Sequence, residues 1–356
     1  MKKTLLILYC ALFLLPCAFF SLGMLIPGAA NAAEGAEMPK LLEGHSIAAI
    51  NQDFGDQFEE YFSKSFAYRN KVVDLFASFK TTFFAEGNDQ VIVGRDNFLF
   101  FADTLADYTG SDKMTDEDIA SVADSLANLY EYAKKNGAKF LFFCAPNKNS
   151  IYSEYMPARY AINTEGRDID RLYAALEERG VPYLDLRPVL TAAKSQQLIY
   201  HKRDTHWNTE GARIALGAIA DTMSFTLPDF SEYGPVNVVE GFRGDLDTLL
   251  FPARVMYDDN TEYELSELFV YTSAYATAMD MQITTRGSGD GKLLMFRDSF
   301  ANALIPLMAS SFAETRFERA QPYRADLLAE YDADYVIVEI AERNIRTLIG
   351  CDERIK

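Results

Sequence analysis

"KNGAKFLFFCAPNKN", residues 135–149, decides the architecture of this chain. Gly137 ends a helical pattern, the run from Phe140 to Ala145 holds no polar residue, and Pro146 stops it just before Asn147, Lys148 and Asn149. A strand with one wet face alternates polar and apolar side chains. A continuous apolar run is buried on both faces, as in a parallel sheet covered by helices.

The pattern repeats outward from that stretch. Residues 116–135 read as a helix, as do residues 168–178 before Gly180; "VPYLDLRPVL", residues 181–190, reads as a strand. A further helix starts near Thr209, "KLLMFRD" (292–298) and "ADYVIVEI" (333–340) read as strands, and "FANALIPLMASSF" (300–312) and "RADLLAEYD" (324–332) as helices. The fold class is therefore α/β, with a mostly parallel sheet between helical layers. Residues 225–285 are less periodic and rich in Gly, Asp and Tyr, which predicts a β-rich insertion. "QVIVGRDNFLFF" (90–101) reads as strand, turn, strand, and residues 34–88 as a helical lead-in with Phe54, Phe58, Tyr61 and Phe62 on one stripe. The main domain is expected over residues 89–356.

Residues 1–33 begin with Lys2 and Lys3, continue through an uncharged apolar run from Leu5 to Ile26, and offer Ala30-Asn31-Ala32 as a cleavage site. This is an export signal or an uncleaved membrane anchor, and either places the rest outside the cytoplasm. Cys10 and Cys17 fall in that segment; Cys144 and Cys351 remain, as one bridge or, preferably, as two buried thiols. The 52 acidic and 34 basic residues give a net charge of -18, which disfavours nucleic acid and anionic membranes as partners.

In an open α/β sheet, ligands sit beyond the carboxyl ends of the strands. Three polar groups occupy such positions: Asn147-Lys148-Asn149, Ser299, and Glu342-Arg343-Asn344. Ser299 can be a nucleophile at a strand-to-helix junction or simply a helix cap. "YHKRDTHWNTEG", residues 200–211, holds two of the three histidines and the only tryptophan. Asp204 and His206 stand two apart, so an extended backbone turns both side chains the same way, and the pair can orient a base toward a serine. His201 is the rival base. His201, Asp204 and His206 also have spacing compatible with a metal site, a reading that leans heavily on carboxylates because histidine is so scarce.

"HKRDTHWNTEGA", "MFRDSFANALIPLMA", "VIVGRDNFLFF", "APNKNSIYSEYMP" and "VEIAERNI" together resemble the alginate O-acetyltransferase and DHHW-type family, whose members carry an SGNH-hydrolase-like domain. The resemblance covers roughly residues 55–350. It implies a three-layer, circularly permuted SGNH-like domain and an exported or anchored O-acetyltransferase acting on an extracellular or cell-envelope polysaccharide. The family triad falls on Asp204, His206 and Ser299. Asn344 becomes an oxyanion donor or cap, and Arg297, Lys148, Arg343 and Trp207 become candidate substrate contacts. No metal and no bound cofactor are implied; the acetyl donor would come from a membrane-bound O-acyltransferase partner. Thr205 stands where many relatives carry histidine and should point away from the serine. A carbohydrate acetylesterase with the same triad, or a non-catalytic glycan-binding protein, are the alternatives. The acidic surface argues for a neutral or amino-sugar polymer, or else for a cationic groove built from Lys148, Lys202, Arg203, Arg297 and Arg343.

Overall fold

The computed structural model describes residues 39–41, 51–65, 69–234, 237–275, 277–319 and 326–351. The segment expected to be a signal or anchor, residues 1–33, lies outside them. Among the described residues, no helix is long and apolar enough to cross a membrane.

The chain divides into two units. The smaller contains the helices Phe54–Ser65 and Arg69–Phe84 and the segment Phe251–Val255. Phe54 stacks on Phe58 at 5.6 Å, and Phe58 meets Tyr61 at 6.5 Å, so these three members of the expected stripe lie together on one helix. Within this unit Asp74 accepts the backbone N–H groups of Ala253 and Arg254.

The larger unit holds eleven strands among the described residues: β1 (Val91–Val93), β2 (Leu99–Phe101), β3 (Lys139–Ala145), β4 (Tyr183–Asp185), β5 (Asn237–Phe242), β6 (Asp258–Glu262), β7 (Phe269–Tyr271), β8 (Gln282–Gly287), β9 (Lys292–Phe296), β10 (Glu314–Glu318) and β11 (Tyr335–Ala341). Seven of them form one sheet in the order β4-β3-β11-β9-β10-β8-β7. The first five run parallel; β8 and β7 close one edge antiparallel. Strands β1 and β2 make the expected hairpin, and β5 and β6 a separate ribbon.

The apolar runs behave as their composition requires. On β3, Leu141, Phe143 and Ala145 enter one core while Phe140, Phe142 and Cys144 enter the other. Strands β9 and β11 divide their side chains in the same way. The first core is covered by the helix Thr209–Met223, the second by the helices Asp116–Lys135 and Asp168–Glu178. Each large apolar side chain buried there contributes roughly 1.5–3 kcal/mol, so the layers do not need a covalent staple. Cys144 and Cys351 are accordingly buried thiols with no disulfide between them.

Two sequence expectations change. Residues 181–190 are not one strand: β4 ends at Asp185, and Pro188, whose fixed φ suits a first helical turn, helps open the helix Arg187–Ala193. The region 225–285 is only partly an excursion, because β7 and β8 extend the main sheet. Their short antiparallel pairing has no strong period to announce it.

Strands β9 and β11 are parallel neighbours with Phe296 opposite Val338, so the residues leaving their carboxyl ends emerge side by side. The loop 200–207 is carried to that same edge. It closes on itself through a bridge between Tyr200 and Trp207 and is pinned to β2 by the Leu99 N–H donating to the Lys202 carbonyl at 2.8 Å. Gly244 presses against it from the other side. A Cβ at position 244 would lie 2.1 Å from the Arg203 carbonyl oxygen, backbone against side chain, with no flexible atom to give way. Gly244→Ala is therefore expected to destabilise the protein by about 2 kcal/mol or more, read as a lower urea midpoint. An unchanged midpoint would show that the loop can retreat freely.

Candidate active site

The serine is placed by its neighbours. Asp298 ends the β9 exit, caps the short helical turn Ser299–Ala303 by accepting the Phe300 N–H at 2.9 Å, and takes the Ala341 N–H at 2.7 Å with its other oxygen. The Asp298 N–H in turn donates to Glu339 at 2.9 Å. Glu339 is fully buried, and that burial, with the Asp298 charge beside it, raises its carboxyl well above the usual range. The turn bearing Ser299 is thus bolted to the next strand, and the Ser299 N–H has no partner among the described residues.

His206 reaches Ser299 from the loop. Its Nε2 lies 3.0 Å from Ser299 Oγ, and its Nδ1 lies 2.7 Å from Asp204 Oδ1. Asp204 also accepts the His206 backbone N–H and the Asp245 N–H, each at 2.8 Å. Burial alone would raise the Asp204 carboxyl; hydrogen bonds from the His206 ring and backbone and from Asp245 outweigh it and hold the group well below the usual carboxylate range. A hydroxyl, an imidazole and an ionised carboxylate in line are the parts of a nucleophile, its base and the base's orienter.

These groups open onto a cavity of about 650 Å³, also lined by His201, Trp207, Thr209, Phe242, Arg243, Asp245, Asn260, Met279, Asn302 and Arg343. Of the candidate contacts, Arg343 faces this space. Its guanidinium lies over the rings of Phe300 and Phe101 at 5.0 and 5.6 Å and meets no carboxylate among the described residues. Trp207 lines the cavity but is buried and structural, its Nε1–H donating to the Phe300 carbonyl at 2.8 Å.

The other candidates have different work. Lys148 is buried away from the cavity and donates to the carbonyls of His201, Lys202 and Asp204 at 3.1, 3.0 and 2.5 Å. Arg297 is buried and spent on the Asp280 carbonyl and Asn302 Oδ1. Asn344 donates its amide to Asp298 at 2.8 Å and does not line the cavity, so it braces the serine turn rather than waiting for an oxyanion. Arg203 pairs with the buried Asp247 at 2.5 Å. The cationic groove imagined from five residues is reduced to Arg343: the others satisfy interior carbonyls and carboxylates, or in the case of Lys202 lie over Phe98.

His201 is not the base. Its ring stacks on Phe242 at 4.0 Å, and burial pushes its pKa down to about 4. Nor does it join a metal cluster among the described residues, where the three acidic and histidine groups within ligand distance of one another are Asp204, His206 and Asp245. Asp245 was missed because it lies 41 positions from Asp204, inside the aperiodic region, and only its backbone turn brings it back. Burial and the Asp204 charge raise its carboxyl. Thr205, expected to point away from the serine, uses its hydroxyl on the Nδ1 edge of the imidazole at 3.0 Å.

Comparison with known proteins bears on the fold that carries this site. Residues 91–261 match a family model described as the SGNH hydrolase-like domain of the acetyltransferase AlgX. A curated relative, the probable alginate O-acetylase AlgJ of Pseudomonas putida, is 23% identical over 203 residues, covering 57% of this chain and 51% of the relative. The chain thus spans about half the length of the curated relatives it matches. Among solved structures, Bacillus cereus PatB1 with a sulfonyl adduct aligns at a TM-score of 0.54 and 15% identity, over 75% of this chain and 98% of PatB1. A DHHW family protein from Eubacterium siraeum aligns at 0.52 and 17% identity, over 67% and 89%. The fold is SGNH-hydrolase-like, and the resemblance drawn from the motifs is upheld.

A buried neutral His201 has a consequence for stability. The unfolded chain takes up a proton at the ordinary histidine value of 6.5, whereas the folded one refuses it until about 4. Stability should therefore fall as pH drops from 6.5 toward 4. His201→Phe, which keeps a ring against Phe242, should lose that part of the slope in urea unfolding at several pH values. An unaltered slope would assign the acid sensitivity elsewhere.

Proposed function

We propose that this SGNH-hydrolase-like chain is an O-acetyltransferase that passes an acetyl group, by way of acetyl-Ser299, to a hydroxyl of an extracellular or cell-envelope polysaccharide. The observation that carries the reading is the alignment of Ser299 Oγ, His206 and Asp204 at 3.0 and 2.7 Å on the floor of an open cavity. The relatives named alginate O-acetylase support the reaction class.

As Ser299 Oγ attacks the donor's acetyl carbonyl, its proton passes to His206 Nε2. The carbonyl oxygen becomes an oxyanion, toward which the Ser299 N–H, without a partner among the described residues, can donate. Collapse breaks the bond to the leaving group, which departs with the proton from His206. The acceptor hydroxyl then gives its proton to His206 and attacks acetyl-Ser299, and a second collapse returns that proton to Ser299. Asp204 stays ionised throughout and holds the ring. The reading needs no bound cofactor. The export-type N-terminus and the absence of a coenzyme A signature in the sequence support a membrane-bound O-acyltransferase as the acetyl supplier.

Exposure of the protein to an activated acetyl ester should add one acetyl group, found by peptide mass spectrometry on the Ser299 peptide and missing in Ser299→Ala. Ester turnover unaffected by that substitution would overturn the mechanism. Release of acetate that no glycan acceptor diverts would mark an esterase instead.

Arg343 lines the cavity and meets no carboxylate among the described residues, which suits one carboxylate on an acidic glycan. If it serves that contact, binding of a polyuronate should weaken as salt rises, and Arg343→Ala should raise KM roughly tenfold with kcat little changed. Binding that strengthens with salt would instead favour a neutral or amino-sugar polymer.

A further inference from the structure

The Nδ1 edge of His206 meets more than the single carboxylate a triad requires. Thr205 Oγ1 lies 3.0 Å from Nδ1 and 2.6 Å from Asp245 Oδ2, while the Thr205 N–H donates to Asp245 Oδ1 at 2.8 Å. Asp245 Oδ2 is itself 3.7 Å from Nδ1. The two carboxylates are also joined directly, through the Asp245 N–H donating to Asp204 Oδ2 at 2.8 Å.

A hydroxyl has one proton. Here the proton is drawn to the carboxylate at the shorter distance, so the Thr205 oxygen offers only lone pairs toward the imidazole. Contact with Nδ1 is then favourable only if Nδ1 carries a hydrogen. That tautomer leaves the Nε2 lone pair free toward Ser299, which is the form a general base needs.

We propose that Asp245, acting through the Thr205 hydroxyl, is a second positioning residue that holds His206 in its Nδ1–H tautomer beside Asp204. The inference rests on the reading of His206 as the base for Ser299. Asp245 touches neither serine nor substrate in this role. It sets the direction of one hydroxyl, and the hydroxyl selects the state of the ring. The same arrangement places a second negative charge near the imidazolium that forms when His206 takes the serine proton, which favours the step for which the ring was oriented.

Asp245→Asn separates this role from a merely structural one. Asparagine keeps the oxygen that accepts the Thr205 N–H, so its amide nitrogen must face the Thr205 oxygen and donate to it. The hydroxyl proton is then turned toward Nδ1, against the productive tautomer. Ester turnover in Asp245→Asn should fall about 10- to 100-fold in kcat with KM within about twofold of wild type. Thr205→Val, which only deletes the hydroxyl, should lose less, and Thr205→Ser should recover most of what valine loses. In Thr205→Val/Asp245→Asn the lever is gone, so the double variant should be more active than Asp245→Asn alone, a non-additivity expected only of coupled groups.

Nitrogen-15 NMR of the His206 ring supplies a readout independent of turnover. The Nδ1–H signature should be strong in wild type and in Ser299→Ala, and reduced in Asp245→Asn. An unchanged ring signature in Asp245→Asn, or a double variant that is worse by the sum of its parts, would overturn the proposal. Ser299→Ala with full turnover would instead overturn the acyl-serine reading and leave the tautomer measurement to judge Asp245 on its own.

Discussion

Trp207 donates its indole N–H to the carbonyl of Phe300, and that bond ties together the two chain segments that carry His206 and Ser299. One end is the residue after His206, the other the residue after Ser299. The Trp207 ring also meets the Phe300 ring edge-on at 5.5 Å, so the joint is packed as well as hydrogen-bonded. A buried indole N–H left unpaired would cost about 1–3 kcal/mol, which discourages any arrangement that moves the histidine loop away from the serine turn. The place of Trp207 beside His206 has a structural reason: it ties the His206 loop to the Ser299 turn.

The loop on the far side of that joint contains no regular structure and would be soft without an internal anchor. Lys148 supplies it. An ammonium group in the core is costly, and burial pushes its pKa down to about 7, but it grips three carbonyls of residues 201–204 and lies 5.4 Å from the Phe100 ring. Arg203 on Asp247 and the close approach of Gly244 complete the frame. Charge that a surface reading assigns to ligand binding is thus consumed in holding a loop. For an acidic chain this leaves Arg343 and Arg243 as the cations of the cavity lining, beside the Phe242 and Phe300 rings.

The parallel sheet was legible because β3, β9 and β11 are apolar on both faces, and a strand in that state has almost no other place to go. Asp204, His206 and Ser299 were legible as types: a D-x-H step in extended backbone and a serine at a strand exit each limit where a side chain can point. Lys148, Arg297 and Asn344 were misread for a shared reason. A polar residue after a strand is equally suited to face a ligand or to satisfy a neighbouring backbone group, and the sequence does not say which acceptors lie within 3 Å. Asp245 escaped because its relation to His206 passes through Thr205 and through a turn more than thirty residues downstream, with no periodicity to mark it.

By itself, then, the sequence determined the α/β class, the doubly buried strands β3, β9 and β11, and the residue types gathered beyond their carboxyl ends, because hydrophobic periodicity and short-range backbone geometry are local. Only the tertiary structure decided which strands are neighbours, which cations are spent inside, and that a second carboxylate stands behind the histidine. Those are distances between segments far apart in the chain, set when two cores close on opposite faces of one sheet and every buried polar group must find a partner.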